Sequence, residues 1–74
     1  MINLDDLLEK EGLYYKKNSD VPFTGEVIGN VSGNFKNGKP EGKWMEYYNN
    51  GKLLSEGNYK NGLLDGEFLY YYDN

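Results

Sequence analysis

The chain has 74 residues, a formal net charge of −4, and neither cysteine nor histidine. All of its 8 basic residues are lysine, so it lacks the residues of common zinc sites, cysteine nucleophiles, serine–histidine–aspartate triads and bidentate arginine clamps. We therefore expect one non-catalytic domain with no cofactor and no metal, and the acidic balance argues against nucleic acid as a partner.

The N-terminal segment, residues 1–11, admits two interpretations. Asn3 is a residue type that caps helices, and the acidic residues and leucines after it suit the first turn and one face of a short helix. Alternatively, residues 8–10 form a strand that turns at Glu11–Gly12 and returns along the next run of apolar residues. We favour the short helix and keep the strand as the alternative.

Residues 12–32 form a degenerate first repeat with two expected strands. Runs rich in tyrosine and valine predict these strands over 12–17 and 24–28. Between them we expect a loop over Asn18–Pro22, because proline has no amide hydrogen to donate to a ladder. Gly29–Asn30 is expected to form a two-residue hairpin turn into the next strand.

The rest of the chain repeats itself. When the sequence is shifted by 24 residues, Gly33–Asn50 falls on Gly57–Asn74, and nine of the 18 aligned pairs are identical. Similarity of this extent predicts a structural unit that occurs more than once. We therefore place a full repeat over 33–56 and a partial repeat over 57–74.

Within each repeat, aromatic-rich runs alternate with Asn-Gly and Gly-x-x-x-Gly segments, which is typical of β-hairpins. Strands are predicted over residues 31–36, 43–48, 52–60 and 67–72. The turns between them are expected at Asn37–Gly42, Asn49–Gly51 and Asn61–Gly66. Together with the two upstream strands, this predicts an all-β fold, an antiparallel meander of about six strands.

One face of the expected sheet carries a row of large rings, and we predict that this row is the core. Turns of six residues set Phe35 opposite Trp44 in the first repeat. The same spacing sets Tyr59 opposite Phe68 in the second repeat. Aromatic pairs across neighbouring strands stabilise a sheet, so the four rings are expected to stack from unit to unit.

Several glycines are expected to be structural. In the same register Gly33 faces Glu46 and Gly57 faces Tyr70, and a missing side chain leaves room for a ring to lie over the backbone. Other glycines occupy the turns, where positive φ angles are required. These turn glycines are Gly38, Gly42, Gly62 and Gly66.

Tyrosines make up the candidate binding surface, because each offers contact area and a hydroxyl group with few rotamers. Alternation places Tyr47 and Tyr71 on the face opposite the row of rings. The tyrosine run in the last strand has two interpretations, ordinary sheet packing or an exposed edge that pairs with another chain. The candidate surface comprises Tyr47, Tyr48, Tyr70, Tyr71 and Tyr72.

The repeated unit also carries a family resemblance. It reads Gly33-x-Phe35-Lys36-Asn37-Gly38-x-x-x-Gly42 and continues with Tyr47-Tyr48-x-Asn50-Gly51. This pattern resembles the MORN repeat, and its period is similar to that of a bacterial variant found in proteins labelled as putative antitoxins. Over residues 8–74 the resemblance implies β-hairpins stacked into one elongated, curved sheet, with a role in binding, scaffolding or membrane association.

These observations leave three hypotheses for the function. The first is a protein-interaction module, which in the form implied by the resemblance binds and neutralises a toxin. The second is a structural unit that self-associates through its C-terminal edge strand. The third is association with anionic lipid, which we disfavour because acidic residues are interleaved with the lysines. The acidic N-terminus lacks the basic start of a secretory signal, so we expect a cytoplasmic protein.

Overall fold

A computed structural model describes residues 2–72 and shows an all-β meander, as predicted. In this range, a single 3-10 turn at Leu4–Asp6 is followed by seven strands. The strands are β1 (Leu7–Lys10), β2 (Leu13–Lys16), β3 (Gly25–Val27), β4 (Val31–Lys36), β5 (Lys39–Tyr47), β6 (Leu53–Lys60) and β7 (Leu63–Tyr70). β1 and β2 form a two-stranded sheet, and β3 to β7 form a five-stranded antiparallel sheet in chain order.

The N-terminal segment contains elements of both interpretations. Asn3 caps the 3-10 turn as expected, and its side chain accepts a hydrogen bond from the Asp5 amide at 3.1 Å. The favoured helix is nevertheless wrong beyond Asp6, because β1 begins at Leu7 and pairs with β2. The ladder to β2 and the burial of the Leu7 side chain outweigh the weak helical tendency of so short a segment.

The two long turns predicted within the repeats are wrong, because each of these hairpins closes with only two residues. Asn37–Gly38 connects β4 to β5, with φ angles of 51° and 83°, and Asn61–Gly62 connects β6 to β7, with 54° and 84°. Positive φ at both central residues is the requirement of a type I′ turn, which Asn-Gly satisfies well. β5 and β7 therefore begin earlier than predicted, at Lys39 and Leu63.

The shorter turns change the register of the meander. The observed pairs include Phe35 with Pro40, Val31 with Glu46, Tyr59 with Leu64, and Gly57 with Phe68. The predicted pairs of Phe35 with Trp44, Gly33 with Glu46, Tyr59 with Phe68, and Gly57 with Tyr70 are therefore wrong. Each displacement is an even number of residues, so the side chains keep the faces that alternation assigned to them.

Two glycines expected in turns lie inside strands instead. Gly42 in β5 has a φ angle of 82°, and Gly66 in β7 has one of 89°. Each lies across from a point where the ladder to the preceding strand is irregular. At each of these bulges β5 or β7 has two more residues than the preceding strand, and glycine readily adopts the positive φ that such a position needs.

The single sheet implied by the family resemblance is divided in two. The segment around Pro22 interrupts the ladder between β2 and β3, so the β1–β2 hairpin forms a sheet of its own. Backbone hydrogen bonds of 2.9 Å hold this hairpin to the larger sheet, from the Tyr14 amide to the Gly38 carbonyl and from the Phe23 amide to the Tyr14 carbonyl. The whole is elongated, measuring 42 × 26 × 18 Å.

The connection between β3 and β4, in contrast, is longer than predicted. Residues 28–30 link the two strands, in place of a two-residue Gly29–Asn30 turn. The Ile28 amide donates to the carbonyl of Ile2 at 2.9 Å, so the N-terminal segment borders this edge of the larger sheet.

The predicted row of rings forms in part, but it is not the core by itself, because Phe35 is its only buried member and Tyr59 and Phe68 lie outside the buried cluster. Phe35 is 3% exposed, and its ring centroid lies 5.0 Å from that of Trp44, which lies 6.3 Å from that of Tyr59. Tyr14 of β2 extends the row at one end, 4.9 Å from Phe35, while Phe68 lines the same cleft at the other end. The buried hydrophobic residues are Leu7, Phe23, Val27 and Phe35.

Two glycines lie directly against these rings. A Cβ atom on Gly33 would come within 2.3 Å of Cδ2 of Trp44, and one on Gly57 within 2.7 Å of Cδ1 of Phe68. The Trp44 ring is also held by its Nε1–H, which donates to the Asn34 carbonyl at 3.1 Å. The predicted role of these glycines is confirmed, although their rings are not the residues that the predicted register placed opposite them.

We expect Gly33→Ala to lower the free energy of unfolding by about 1–3 kcal/mol, because the added methyl group forces the Trp44 ring aside. Gly57→Ala is expected to cost less, since Phe68 is 37% exposed at the sheet edge and has room to move. Neither glycine has a positive φ angle, so the pair isolates the steric contact. Urea unfolding followed by tryptophan fluorescence measures both changes. Equal destabilisation would contradict this account of the packing.

Candidate functional site

The most exposed apolar surface of the protein is its last strand with the two residues after it, residues 63–72, which we call the β7 edge. All residues of β7 are exposed. The exposed fraction reaches 74% for Leu63, 73% for Tyr70 and 92% for Tyr72. Large apolar side chains gathered on one edge of a small protein mark it as a candidate interaction site.

Half of the backbone groups of β7 point away from the sheet. The Tyr71 amide donates to the Leu54 carbonyl at 2.8 Å, so Tyr71 occupies a hydrogen-bonded position that faces β6. In an antiparallel pair such positions alternate with positions whose amide and carbonyl face away. The backbone groups of Phe68 and Tyr70 therefore face outward, and no strand within residues 2–72 pairs with them.

The β7 edge carries apolar side chains on both faces of the sheet, together with the exposed acidic residues Asp65 and Glu67. Phe68 and Tyr70 share the face of the ring row, with ring centroids 4.9 Å apart. Leu69 lies on the other face, across from Glu56, and is 40% exposed. A chain that extended this sheet would therefore find apolar contacts above and below the new strand.

Tyr71 is tied to the sheet through its hydroxyl group. This group donates to Oε1 of Glu56 at 3.0 Å, while the other carboxylate oxygen of Glu56 lies 3.6 Å from Nζ of Lys43. The hydrogen bond to Glu56 raises the pKa of Tyr71 above its ordinary value of 10.0, with smaller contributions from desolvation and from the negative charge. The protonated hydroxyl thus anchors the β7 edge to β6.

The five tyrosines of the candidate surface fall into two groups. The Tyr48 hydroxyl donates to the Tyr71 carbonyl at 2.7 Å, and the Tyr47 hydroxyl lies 3.5 Å from the sulfur of Met45. With the bond from Tyr71 to Glu56, these contacts hold the hydroxyl groups of Tyr47, Tyr48 and Tyr71 against the protein. Tyr70 and Tyr72 are largely exposed, so they are the members of the set that offer free contact area. Their role in binding stays a prediction.

Sequence reasoning missed the leucines of the edge. Leu63 and Leu64 were assigned to a turn, yet both lie in β7 and are 74% and 48% exposed. The signal that identifies them is Asn61–Gly62, since Asn-Gly alone suffices for a two-residue hairpin. The second glycine, Gly66, obscured that signal because it suggested a longer turn.

A cleft of about 180 Å³ runs along the ring row and is lined by Phe35, Trp44, Tyr59 and Phe68 among others. Its polar groups include Ser55 and Glu46, which are joined by a hydrogen bond of 3.3 Å. The volume is below the range of about 300–1,000 Å³ typical of small-molecule pockets. We therefore regard the cleft as a groove of the core face and not as the principal site.

The part of the chain that the structure describes holds no cluster of acidic, histidine or cysteine residues suited to a metal ion. Every buried side-chain polar atom described has a hydrogen-bond partner. No helix within residues 2–72 has the length and apolar character needed to cross a membrane.

Comparisons with family models, with curated proteins and with solved structures find no match to this chain. The resemblance to the MORN repeat therefore stays a prediction from the sequence.

We expect Glu56→Gln to lower the pKa of Tyr71 toward 10.0, because the variant removes the charged acceptor that favours the protonated hydroxyl. Since the folded pKa is raised, the contribution of this contact to stability is present below pH 10 and is lost as the pH rises through the folded pKa. Titration of the tyrosine Cζ resonance by NMR measures the shift. Glu9→Gln, on exposed β1, is the control, and an unchanged titration in Glu56→Gln would contradict the assignment.

Proposed function

We propose that this protein is a non-catalytic interaction module that binds a partner polypeptide as an additional strand on the β7 edge. The observation that carries the proposal is an edge strand exposed over its whole length, with outward backbone groups and apolar side chains on both faces. Edge strands of this kind are templates for pairing with another chain. In strand addition, the backbone hydrogen bonds provide affinity and the alternating side chains provide specificity.

The side chains at this edge suit a protein partner better than a small molecule. Tyr70 and Tyr72 offer aromatic area and hydroxyl groups, a combination enriched in protein interfaces. Natural edge strands are usually blunted by charged side chains, proline or bulges. β7 contains no lysine or proline, and its acidic residues and bulge lie at positions 65–67, before Phe68 and Tyr70. The net charge of −4 favours a partner with basic character.

The narrower form of the proposal is an antitoxin-like protein, and it rests on the resemblance of the repeat. In this form the partner is a toxin that is inactivated when it binds to the β7 edge. Co-expression with the product of the neighbouring gene tests it, through co-purification and rescue of growth. If neither occurs, the antitoxin form is wrong, whereas binding of another protein at the β7 edge stays open to the following test.

To test the interaction module, a photo-reactive phenylalanine derivative is placed at position 70 or 72 in the cells from which the protein comes. We expect irradiation to yield a discrete covalent adduct with one protein, because these side chains border the open edge of the sheet. Mass spectrometry identifies the adduct.

The matched control carries the same probe in place of Val21, which is 70% exposed in the loop before β3 and lies outside β7. An adduct that forms at position 70 and not at position 21 supports the proposal. The same adducts at both positions, or none at positions 70 and 72, would contradict it.

A further inference from the structure

Two hairpin turns of this protein are docked in the same way onto the preceding part of the chain. In the first, the Gly38 amide donates to the Phe23 carbonyl at 2.7 Å, and the Asn37 amide donates to Oγ1 of Thr24 at 2.9 Å. Both amides at the tip of the turn are thus satisfied by one carbonyl and by the side chain of the residue after it.

The second turn repeats this arrangement. The Gly62 amide donates to the Pro40 carbonyl at 3.1 Å, and the Asn61 amide donates to Oε1 of Glu41 at 2.9 Å. The acceptor is therefore a recurring unit with three parts: a backbone carbonyl, a side-chain oxygen on the next residue, and a glycine with positive φ. The two acceptor units are Phe23-Thr24-Gly25 and Pro40-Glu41-Gly42.

A third acceptor unit lies on β7 and receives no turn from residues 2–72. Leu64, Asp65 and Gly66 occupy the positions of Pro40, Glu41 and Gly42 in the next repeat, and the φ angle of Gly66 is 89°. Leu64 lies opposite Tyr59, in the pair next to the one that closes the hairpin. Pro40 lies opposite Phe35 in the corresponding pair of the earlier hairpin. The Leu64 carbonyl therefore faces outward, as the Pro40 carbonyl does.

A third donor turn lies at the opposite end of the molecule. Glu11–Gly12 joins β1 to β2 with φ angles of 53° and 85°, almost the values of the two docked turns. Nothing lies within 4 Å of the point where a Cβ atom of Gly12 would be, whereas the glycines of the docked turns have close neighbours. This turn is exposed and has no acceptor within the described chain.

We propose that the Glu11–Gly12 turn of one copy docks onto the Leu64–Asp65 acceptor of a second copy. The Gly12 amide then donates to the Leu64 carbonyl, and the Glu11 amide donates to the Asp65 carboxylate. The order matches that of the docked turns, in which the acceptor lies in the chain before the turn; here β7 of the first copy takes the place of that preceding chain. The inference rests on the proposed function, since it also makes the β7 edge an interaction surface.

The contact joins unlike ends and so produces head-to-tail assembly. Each copy keeps a free turn at one end and a free acceptor at the other, so further copies add to form a closed ring or an open filament, depending on the rotation between successive copies. Docking also brings β1 of one copy beside the outward groups of β7 in the other. β1 pairs only with β2 among the described strands, so its second edge is open to this pairing.

One difference separates the third turn from the docked ones. The third turn has Glu11 at the position where the docked turns have asparagine. In the assembly the Glu11 carboxylate would lie near that of Asp65. Glutamate also adopts positive φ less readily than asparagine does. Glu11→Asn removes the like charge and restores the docked sequence. We expect this variant to assemble more tightly than the natural protein.

Sedimentation and light scattering on the purified chain test the assembly as concentration rises. We expect Asp65→Ala to weaken association about tenfold, the effect of losing one charge-assisted hydrogen bond. Asp20→Ala, an exposed aspartate in the loop before β3, is the matched control and should leave association unchanged. A monomer at all concentrations, or equal effects of the two alanine variants, would overturn the proposal.

The absence of cysteine allows a second test of the geometry. Glu11→Cys and Asp65→Cys are purified separately, mixed and oxidised, with an affinity tag on one of them. Head-to-tail docking predicts mainly the mixed disulfide. A predominance of disulfides between two Asp65→Cys chains would show that β7 edges pair with each other, and it would overturn the proposal.

The two proposals fail in different experiments. The assembly test uses the purified chain alone, whereas the photo-crosslinking test reports every protein that meets the β7 edge in the cell. An adduct with a different protein together with a monomeric purified chain would reject self-assembly and retain the interaction module. The loss of all adducts at the β7 edge would reject the interaction module itself.

Discussion

The hydrogen bonds that tie the Asn37–Gly38 and Asn61–Gly62 turns to the chain before them are the interactions on which this fold depends. The amides of Gly38 and Gly62 donate to the carbonyls of Phe23 and Pro40, and so set the position of each hairpin relative to the part of the chain before it. Because the turn is the tip of the hairpin, this contact fixes the start of the following strand. The stacking of rings along the core face follows from that placement.

The burial of the ring row falls from Phe35 toward the last strand. Phe35 is 3% exposed, whereas Phe68 on the last strand is 37% exposed. A chain of this size buries only a small core, and each ring depends on the next strand for cover. The open acceptor on β7 and the exposed apolar side chains of that strand therefore have the same cause. No strand within the described chain pairs with the outer edge of β7. Binding at this edge would supply that strand.

Much of the repeat architecture could be predicted, but not its register. The sequence places glycine at Gly38 and at Gly42, and both positions have positive φ. One belongs to a two-residue turn and the other to a bulge, and the residue type alone does not distinguish these uses. The faces were nevertheless predicted correctly, because the error was an even number of residues. The contact between the Trp44 ring and Gly33 requires that both residues lie on the same face, and an even displacement preserves this.

The sequence by itself determined the all-β class, the repeat, the face that carries the ring row and several glycines with positive φ, because alternation and glycine freedom are local properties. The tertiary structure decided the register, the separation of the β1–β2 hairpin, and which tyrosines are free. Tyr48 and Tyr71 resemble Tyr70 and Tyr72 in sequence, yet the former pair is bonded to partners 23 and 15 residues away. Such contacts depend on how distant strands meet, so no local pattern contains them.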